Sequence, residues 1–333
     1  LADALPKGRL MAWMNGLKLL GAALLGLSVH PVLAFALVGL GAAIYAPAKY
    51  GLMTETVPPS RLVQANGWIE VSVVLAVLLG TALGGALVAL GPGLQLALTA
   101  VLAMYALAAL LNRWVPRRAA REARAAWPHP RRAPEAWRRF WHGQCRLWRD
   151  PLGGLSLATT TLFWGVAAVM QFAVIHWADR VLRLPLSQAA YLQATVALGV
   201  MAGAALAARR HALLQAPALL PWGVLLGLLL VAVLWVERLA WALPVLVLTG
   251  AAGGFLVVPM NALLQYRGHR LLGPGRSIAV QGFNENLSVL VMLGAYAALL
   301  RAGVPVVALM AGLGLALAAS MAALAWRARA LTR

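Results

Sequence analysis

Acidic side chains are scarce in this chain: 9 Asp and Glu stand against 28 Lys and Arg in 333 residues, and charged residues of both signs amount to 11%. Soluble domains carry roughly 25%, so a surface turned mainly to water is excluded. Cysteine occurs once, as Cys145, which leaves no internal disulfide and no thiolate cage for a metal. His30, His129, His142, His176, His211 and His269 are scattered, with no pair at metal-ligand spacing on one helix. A phosphate-cradling G-x-x-x-x-G-K-[ST] run is missing. So is the His-x4-Asp spacing of an acyltransferase, since His176-x2-Asp179 has the wrong interval. These gaps point away from an enzyme and give no reason to expect a cofactor or a bound metal.

Apolar residues fill the space instead. They make up 62% of the chain, with a mean hydropathy of +0.80, too much for a soluble core of ordinary proportions. Breaking the sequence at charges and at Pro/Gly turns leaves about ten apolar segments, roughly 10–29, 32–54, 63–90, 94–112, 153–178, 187–208, 215–235, 240–264, 277–300 and 304–326. Each approaches or exceeds the ~20 residues that carry a helix across ~30 Å of hydrocarbon. The expectation is an all-α integral membrane protein, because a spanning helix keeps every backbone group bonded within itself.

The positive charges then orient the segments. With Leu1 on the cytoplasmic side, the inner loops hold Lys7, Arg9, Arg61, eleven Arg between Arg113 and Arg149, Arg209, Arg210, Arg267, Arg270, Arg276, Arg327, Arg329 and Arg333. The outer loops hold only Arg180, Arg183, Arg238 and Arg301. This bias follows the positive-inside rule, so the net charge of +19 reads as a topology signal rather than as a nucleic-acid patch.

A short signature occurs twice. Gly41-x5-Pro47-x-Lys49 is followed by Asn66-Gly67-Trp68-x-Glu70, and Gly253-x5-Pro259-x-Asn261 by Gln281-Gly282-Phe283-x-Glu285. The repeated order marks two related halves, the construction of many secondary transporters. Pro47 and Pro259 fall in the second and eighth segments, so the repeat is six helices long and both copies run the same way. Two such halves need twelve helices, and the first two are expected upstream of Leu1, which is not an initiator Met. Asp3-x4-Gly8-Arg9 then reads as an interhelical loop motif. Residues 1–112 form an incomplete N-terminal half, 113–152 a basic linker and 153–333 a six-helix C-terminal half.

Within the linker, Trp137, Phe140, Trp141, Gln144 and Trp148 recur at helical spacing with Arg138, Arg139, Arg146 and Arg149 on the flanks. The pattern suits either a helix lying on an anionic leaflet or a flexible linker with interfacial tryptophans. Pro116, Pro128, Pro130 and Pro134 confine any helix to the later part.

Polar residues inside the apolar segments carry the most information, because an ionisable group there is costly and faces a pathway or a partner. Lys49 and Glu70 lie about 9 and 13 Å in from one cytoplasmic turn, at 1.5 Å per residue, within reach of each other. They read as a cationic headgroup site with a counter-ion or gate, or as a structural ion pair. Lys18 reads as snorkelling to the inner surface. Glu285 with Asn284, Asn286, Gln281 and Asn261 forms the matching cluster of the second half, while Gly80, Gly84, Gly85, Gly199 and Gly203 read as close helix contacts. Pro47 and Pro259 imply kinks.

At these residues a resemblance emerges. Asn15-Gly16-Leu17-Lys18-Leu19-Leu20-Gly21-Ala22, Tyr45-x-Pro47-Ala48-Lys49-Tyr50-Gly51, Leu62-Val63-x-Ala65-Asn66-Gly67-x-x-Glu70, Leu162-Phe163-Trp164-Gly165, Val257-Val258-Pro259-x-Asn261-Ala262-Leu263-Leu264-Gln265-x-Arg267-Gly268 and Ala279-Val280-Gln281-x-x-x-Glu285-Asn286 closely resemble the bacterial lysophospholipid transporters of the major facilitator superfamily, over almost the whole chain. The resemblance implies a major-facilitator helix bundle in the bacterial inner membrane. It implies a flippase bringing lysophosphatidylethanolamine and lysophosphatidylglycerol to the cytoplasmic leaflet, for reacylation by an acyltransferase–acyl carrier protein synthetase. Lys49 matches the family's fourth-helix lysine, implicated by resemblance in holding the headgroup phosphate. Tyr45, Asn66, Glu70, Gln171, Asn261, Gln281 and Glu285 are counted with it as substrate-binding residues, and Asp3, Arg9, Pro47, Pro259 and Arg267 as structural or gating ones. Two matches fail: the family's first-helix acidic residue falls in the missing segment, and Gln171 replaces its seventh-helix arginine, keeping a donor and an acceptor but no charge. The alternatives are a major-facilitator exporter of amphipathic small molecules or drugs, and a non-transporting membrane scaffold.

Overall fold

The structure, a computed structural model, describes residues 5–90, 93–115 and 133–332, and among them every regular element is helical. The helices are α1 (Lys7–Gly26), α2 (Pro31–Thr56), α3 (Leu62–Ala89), α4 (Gly93–Leu111), α5 (Ala133–Arg149), α6 (Pro151–Arg180), α7 (Leu186–Arg210), α8 (Leu220–Ala232), α9 (Leu239–Leu272), α10 (Pro274–Arg301) and α11 (Val306–Thr332). Nine helical stretches of the described residues are long and apolar enough to cross a membrane. The remaining expected span is α1, whose Lys7, Arg9, Asn15 and Lys18 dilute its hydropathy. Asp3 lies outside the described residues.

Proline opens several helices: Pro31, Pro151 and Pro274 stand at the first helical position, where the missing N–H costs no hydrogen bond. Pro47 in α2 and Pro244 and Pro259 in α9 are interior. Glycine ends α9 and α10, with Gly273 at φ +92° and Gly303 at φ +85°, a left-handed turn that side chains resist.

By contact the chain clusters into two units. The first comprises Leu1–Thr56, Leu79–Arg146 and Gly268–Val280, the second Val57–Leu78, Leu147–Arg267 and Gln281–Arg333. In the first, α1 packs on α2 and α4 around a small core of Leu10, Met11 and Ala48. Two glycines let α1 and α2 close up: a Cβ on Gly21 would meet the Ala34 carbonyl at 2.8 Å, and one on Gly41 would meet Lys18 Cγ at 2.8 Å. The α5 residues of this unit divide in use. Trp137, Phe140 and Trp141 form an aromatic cluster with ring centroids 5.5–6.1 Å apart, and the two tryptophans are exposed. Gln144, expected on the same membrane-facing side, is buried. Gly143 explains the difference, since its bare backbone seats against Leu272 and Val280.

In the second unit α6 packs on α7 and α11, and α8 on α11, over a core that includes Trp177, Leu192, Leu256, Met260 and Met321. Here α7 and α9 meet through reciprocal glycine notches: Gly199 and Gly203 lie against Val247 and Ala251, and Gly250 and Gly254 against Val196 and Val200. The sequence expectation of close contact holds for Gly199 and Gly203. It fails for Gly80, Gly84 and Gly85, which have no described atom within 4 Å of a built Cβ, because no described helix covers that face of α3.

This contrast is directly testable. Gly250→Leu forces a side chain into the backbone of α7 and is expected to cost about 1–3 kcal/mol by overpacking, read as a lowered melting temperature of the purified protein. Gly84→Leu is expected to stay within about 0.5 kcal/mol of the parent, as an uncovered surface change.

Candidate functional site

The first unit holds a row of polar side chains along the α1–α2 hairpin. At its open end Lys7 Nζ bonds Glu55 Oε1 at 2.5 Å, with side chains 9% and 17% exposed, and Gly51 leaves room for the lysine stem 3.2 Å away. The pair was legible only as opposite charges at facing ends of an antiparallel hairpin. Deeper in, the Lys18 stem crosses the hollow at Gly41. Its ammonium stands 4.1 Å over the Tyr45 ring and donates to Asn15 Oδ1 at 3.3 Å. Both Lys18 and Tyr45 lie 11 residues from the Lys7 and Thr56 ends of their helices, about 16 Å in at 1.5 Å per residue. The stem runs from the level of Gly41 toward Tyr45 and Asn15, the side of the Lys7 and Thr56 helix ends. Gly41 and Tyr45 give it a hollow and an aromatic face where it stands. Lys49 follows Tyr45 by one turn of α2, its ammonium 4.9 Å over the Tyr50 ring.

The second unit brings together two amide clusters. Asn66 and Gln265 exchange hydrogen bonds, Asn66 Nδ2 to Gln265 Oε1 at 2.9 Å and Gln265 Nε2 to Asn66 Oδ1 at 3.0 Å, both side chains being buried. Beside this contact Gly67 packs on Ala204 and Ala208 of α7. Further along, Gln281 Nε2 donates to Asn261 Oδ1 at 3.0 Å and to Glu285 Oε1 at 2.8 Å, so Asn261, Gln281 and Glu285 meet as expected. Asn284 accepts from Trp148 Nε1 at 3.2 Å, and Asn286 donates to its own helix at Gly282.

Arg267 pairs with Asp150, its Nε donating to Oδ2 at 2.9 Å and its Nη2 to Oδ1. Asp150 also caps α6 by accepting from the Gly153 amide at 2.7 Å. Burial pushes this carboxyl up, but the bonds from Arg267 and Gly153 outweigh it and hold the group below its ordinary range. The stabilisation is therefore present above the unfolded value near 4 and lost as pH falls through the lowered native value. Asp150 was missed from sequence, although Asp immediately before Pro at a helix start is a capping signal.

The remaining predicted residues are dispersed. Arg9 is exposed. Lys49 belongs to the first unit and Glu70 to the second. Gln171 is 11 residues further along α6 than Thr160, whose hydroxyl donates to the Leu157 carbonyl at 3.3 Å. It lines a separate apolar cavity of about 110 Å³ with Phe163, Met170, Gln193, Leu226 and Thr249, and its carbonyl accepts from Gln193 at 2.7 Å. The two units thus offer an anion-attracting row of cations and aromatic rings, a set of neutral amides around one carboxylate, and an apolar hollow.

A sequence profile described as the Major Facilitator Superfamily matches residues 1–282. The chain is 39% identical over 330 residues to a protein of Shigella boydii serotype 4 named lysophospholipid transporter LplT, covering 98% of this chain and 82% of that one. It is 40% identical over 310 residues to a protein of the same name from Yersinia pestis strain Pestoides F, covering 92% and 75%. Among solved structures it superposes on the human organic anion transporter MFSD10 with a TM-score of 0.71 at 17% identity, covering 96% of this chain and 78% of that one. It superposes on the transporter FucP in its outward conformation with 0.72 at 15%, covering 98% and 83%. At these identities the superpositions establish the helix-bundle fold alone.

The Asn66–Gln265 exchange predicts non-additive substitutions. Asn66→Leu or Gln265→Leu alone strands a buried amide at a cost of about 1–3 kcal/mol. The double substitution is expected to cost less than the sum, with a coupling energy of about 0.6–2 kcal/mol, measured by thermal unfolding of all four proteins.

Proposed function

The chain belongs to the lysophospholipid transporter family of the major facilitator superfamily, and on that footing we propose that it flips lysophospholipids, chiefly lysophosphatidylethanolamine and lysophosphatidylglycerol, across the bacterial inner membrane. The basic loops and the C-terminus face the cytoplasm in this reading, as the charge bias requires. The lipid arrives in the leaflet where an acyltransferase–acyl carrier protein synthetase restores its second tail. Residues 1–112 and 153–333 act as the two repeat-related halves, joined by the 113–152 linker.

One observation carries the proposal: Lys49, in the run Pro47-Ala48-Lys49-Tyr50-Gly51, stands inside an apolar helix seven residues from its end, about 10 Å deep. A cation at that depth is stabilised by an anionic partner, and a lysophospholipid offers a single phosphate ahead of a single apolar tail. Tyr45 lies on the same stripe of α2. Asn261, Gln281 and Glu285 supply neutral donors and one acceptor for an uncharged glycerol or a cationic ethanolamine. Gln171, within its apolar cavity, contacts the body of the substrate rather than its phosphate. Asn66, Arg267, Pro47 and Pro259 serve the frame, as do Asp3 and Arg9 in the loop motif and Glu70 as counter-ion or gate.

In vesicles reconstituted with the full-length protein, Lys49→Ala is expected to slow lysophosphatidylglycerol flipping about 10- to 100-fold, the worth of one charge-assisted hydrogen bond. Lys49→Arg is expected to keep part of the rate, since the charge stays while the geometry changes. A parent protein that moves a cationic amphiphile but no lysolipid would favour the drug-exporter reading. Undiminished flipping by Lys49→Ala would remove Lys49 from the substrate site.

A further inference from the structure

We propose that Lys18 and Asn15 join Lys49 in one anion cradle of the first unit, and that the cradle takes the phosphate of a single-chain phospholipid, with Lys18 as its second cation. The inference rests on the lysolipid-carrier reading and deepens it by assigning two residues to which neither the resemblance nor the repeat gave a binding role.

Three observations carry it. First, the Lys18 ammonium is placed by the fold and is not a floating end. Gly41 opens the hollow its stem occupies, and the Tyr45 ring sits 4.1 Å from the charge. Tyr45 is four residues before Lys49 on one stripe of α2, and the like charge of Lys49 is felt at Lys18. Second, the described carboxylates of this unit are engaged elsewhere, Glu55 with Lys7 and Glu135 with Arg139. Third, Asn15 is 3% exposed, and its Nδ2 has no hydrogen-bond partner among the described residues. The amide orientation is fixed by its neighbour, because Oδ1 accepts from Lys18 and the flipped form would set an NH2 against an ammonium. A buried donor without an acceptor is expensive. Beside two cations it is the group that an anionic oxygen would satisfy.

Two ammonium groups and an amide N–H suit a phosphodiester, which carries one negative charge over two unesterified oxygens. The same chemistry would take a soluble phosphate, so the test must separate the lipid from its head.

The full-length protein in nanodiscs is titrated with lysophosphatidylglycerol, with monoacylglycerol of equal chain length and with glycerol 3-phosphate, following tryptophan fluorescence, and flipping is measured in vesicles. Lys18→Met is expected to weaken lysophosphatidylglycerol binding about tenfold or more, the worth of a lost charge-assisted bond, while monoacylglycerol binding holds within about twofold and Lys18→Arg recovers most of the loss. Asn15→Asp separates the cradle from a structural role. It hands Lys18 a carboxylate, so the melting temperature stays at or above the parent's, yet lysophosphatidylglycerol binding and flipping are lost. A parent with no preference for lysophosphatidylglycerol over monoacylglycerol sinks the carrier reading and the cradle together. A parent with that preference, retained in full by Asn15→Asp and Lys18→Met, overturns the cradle alone. Glycerol 3-phosphate binding as tightly as the lipid overturns its assignment to a phospholipid.

Discussion

Hydrocarbon offers no partner to a polar group, and nearly every informative contact in this protein follows from that one constraint. A helix dissolved in lipid satisfies its own backbone, so the spans form with little help from sequence detail. Side chains have no such provision. Asn66 finds Gln265, Gln281 finds Asn261, and Arg267 finds Asp150, each on another segment of the chain. The polar residues, few as they are, select which helices lie together, while the abundant leucine, valine and alanine fill whatever space results. Glycine then sets how near the helices come, as at the crossing of α7 and α9.

This division explains what could be read from the chain alone. The spans, the class of fold and the late helix of the basic linker were legible, because length, hydropathy and helical spacing are local properties. The meeting of Asn261, Gln281 and Glu285 was legible as well, through the repeat and through four-residue spacing on α10. Partnerships between distant segments were not. Nothing around Asn66 names Gln265, and nothing around Asp150 names Arg267, since a single sequence carries no record of which faces turn toward each other. Lys18 shows the same limit. Its place in an apolar segment names neither the hollow at Gly41 nor the Tyr45 ring, which belong to another helix. The glycines of α3 erred the other way: Gly80, Gly84 and Gly85 have the spacing of a helix contact, and no described helix lies against them.

The distribution of charge types across the contacts is also uneven. The ion pairs stand near helix ends, Lys7 with Glu55 and Arg267 with Asp150, where some water reaches and desolvation costs less. Toward the middle of the helices the pairing passes to amides and aromatic rings. Neutral dipoles and ring faces hold their places in hydrocarbon at a smaller penalty than full charges.

The Asn66–Gln265 exchange has a consequence of its own. Two primary amides offer identical bonding on either side, and neither titrates nor carries net charge. When such a contact opens while buried, both amides lose their partners at once, so the closed form holds until the helices part. The contact is therefore indifferent to acidity and to ionic strength, unlike the Arg267–Asp150 pair, which is lost as Asp150 takes up a proton. A fastening of this kind keeps one setting across changing surroundings and yields to a displacement of the helices themselves.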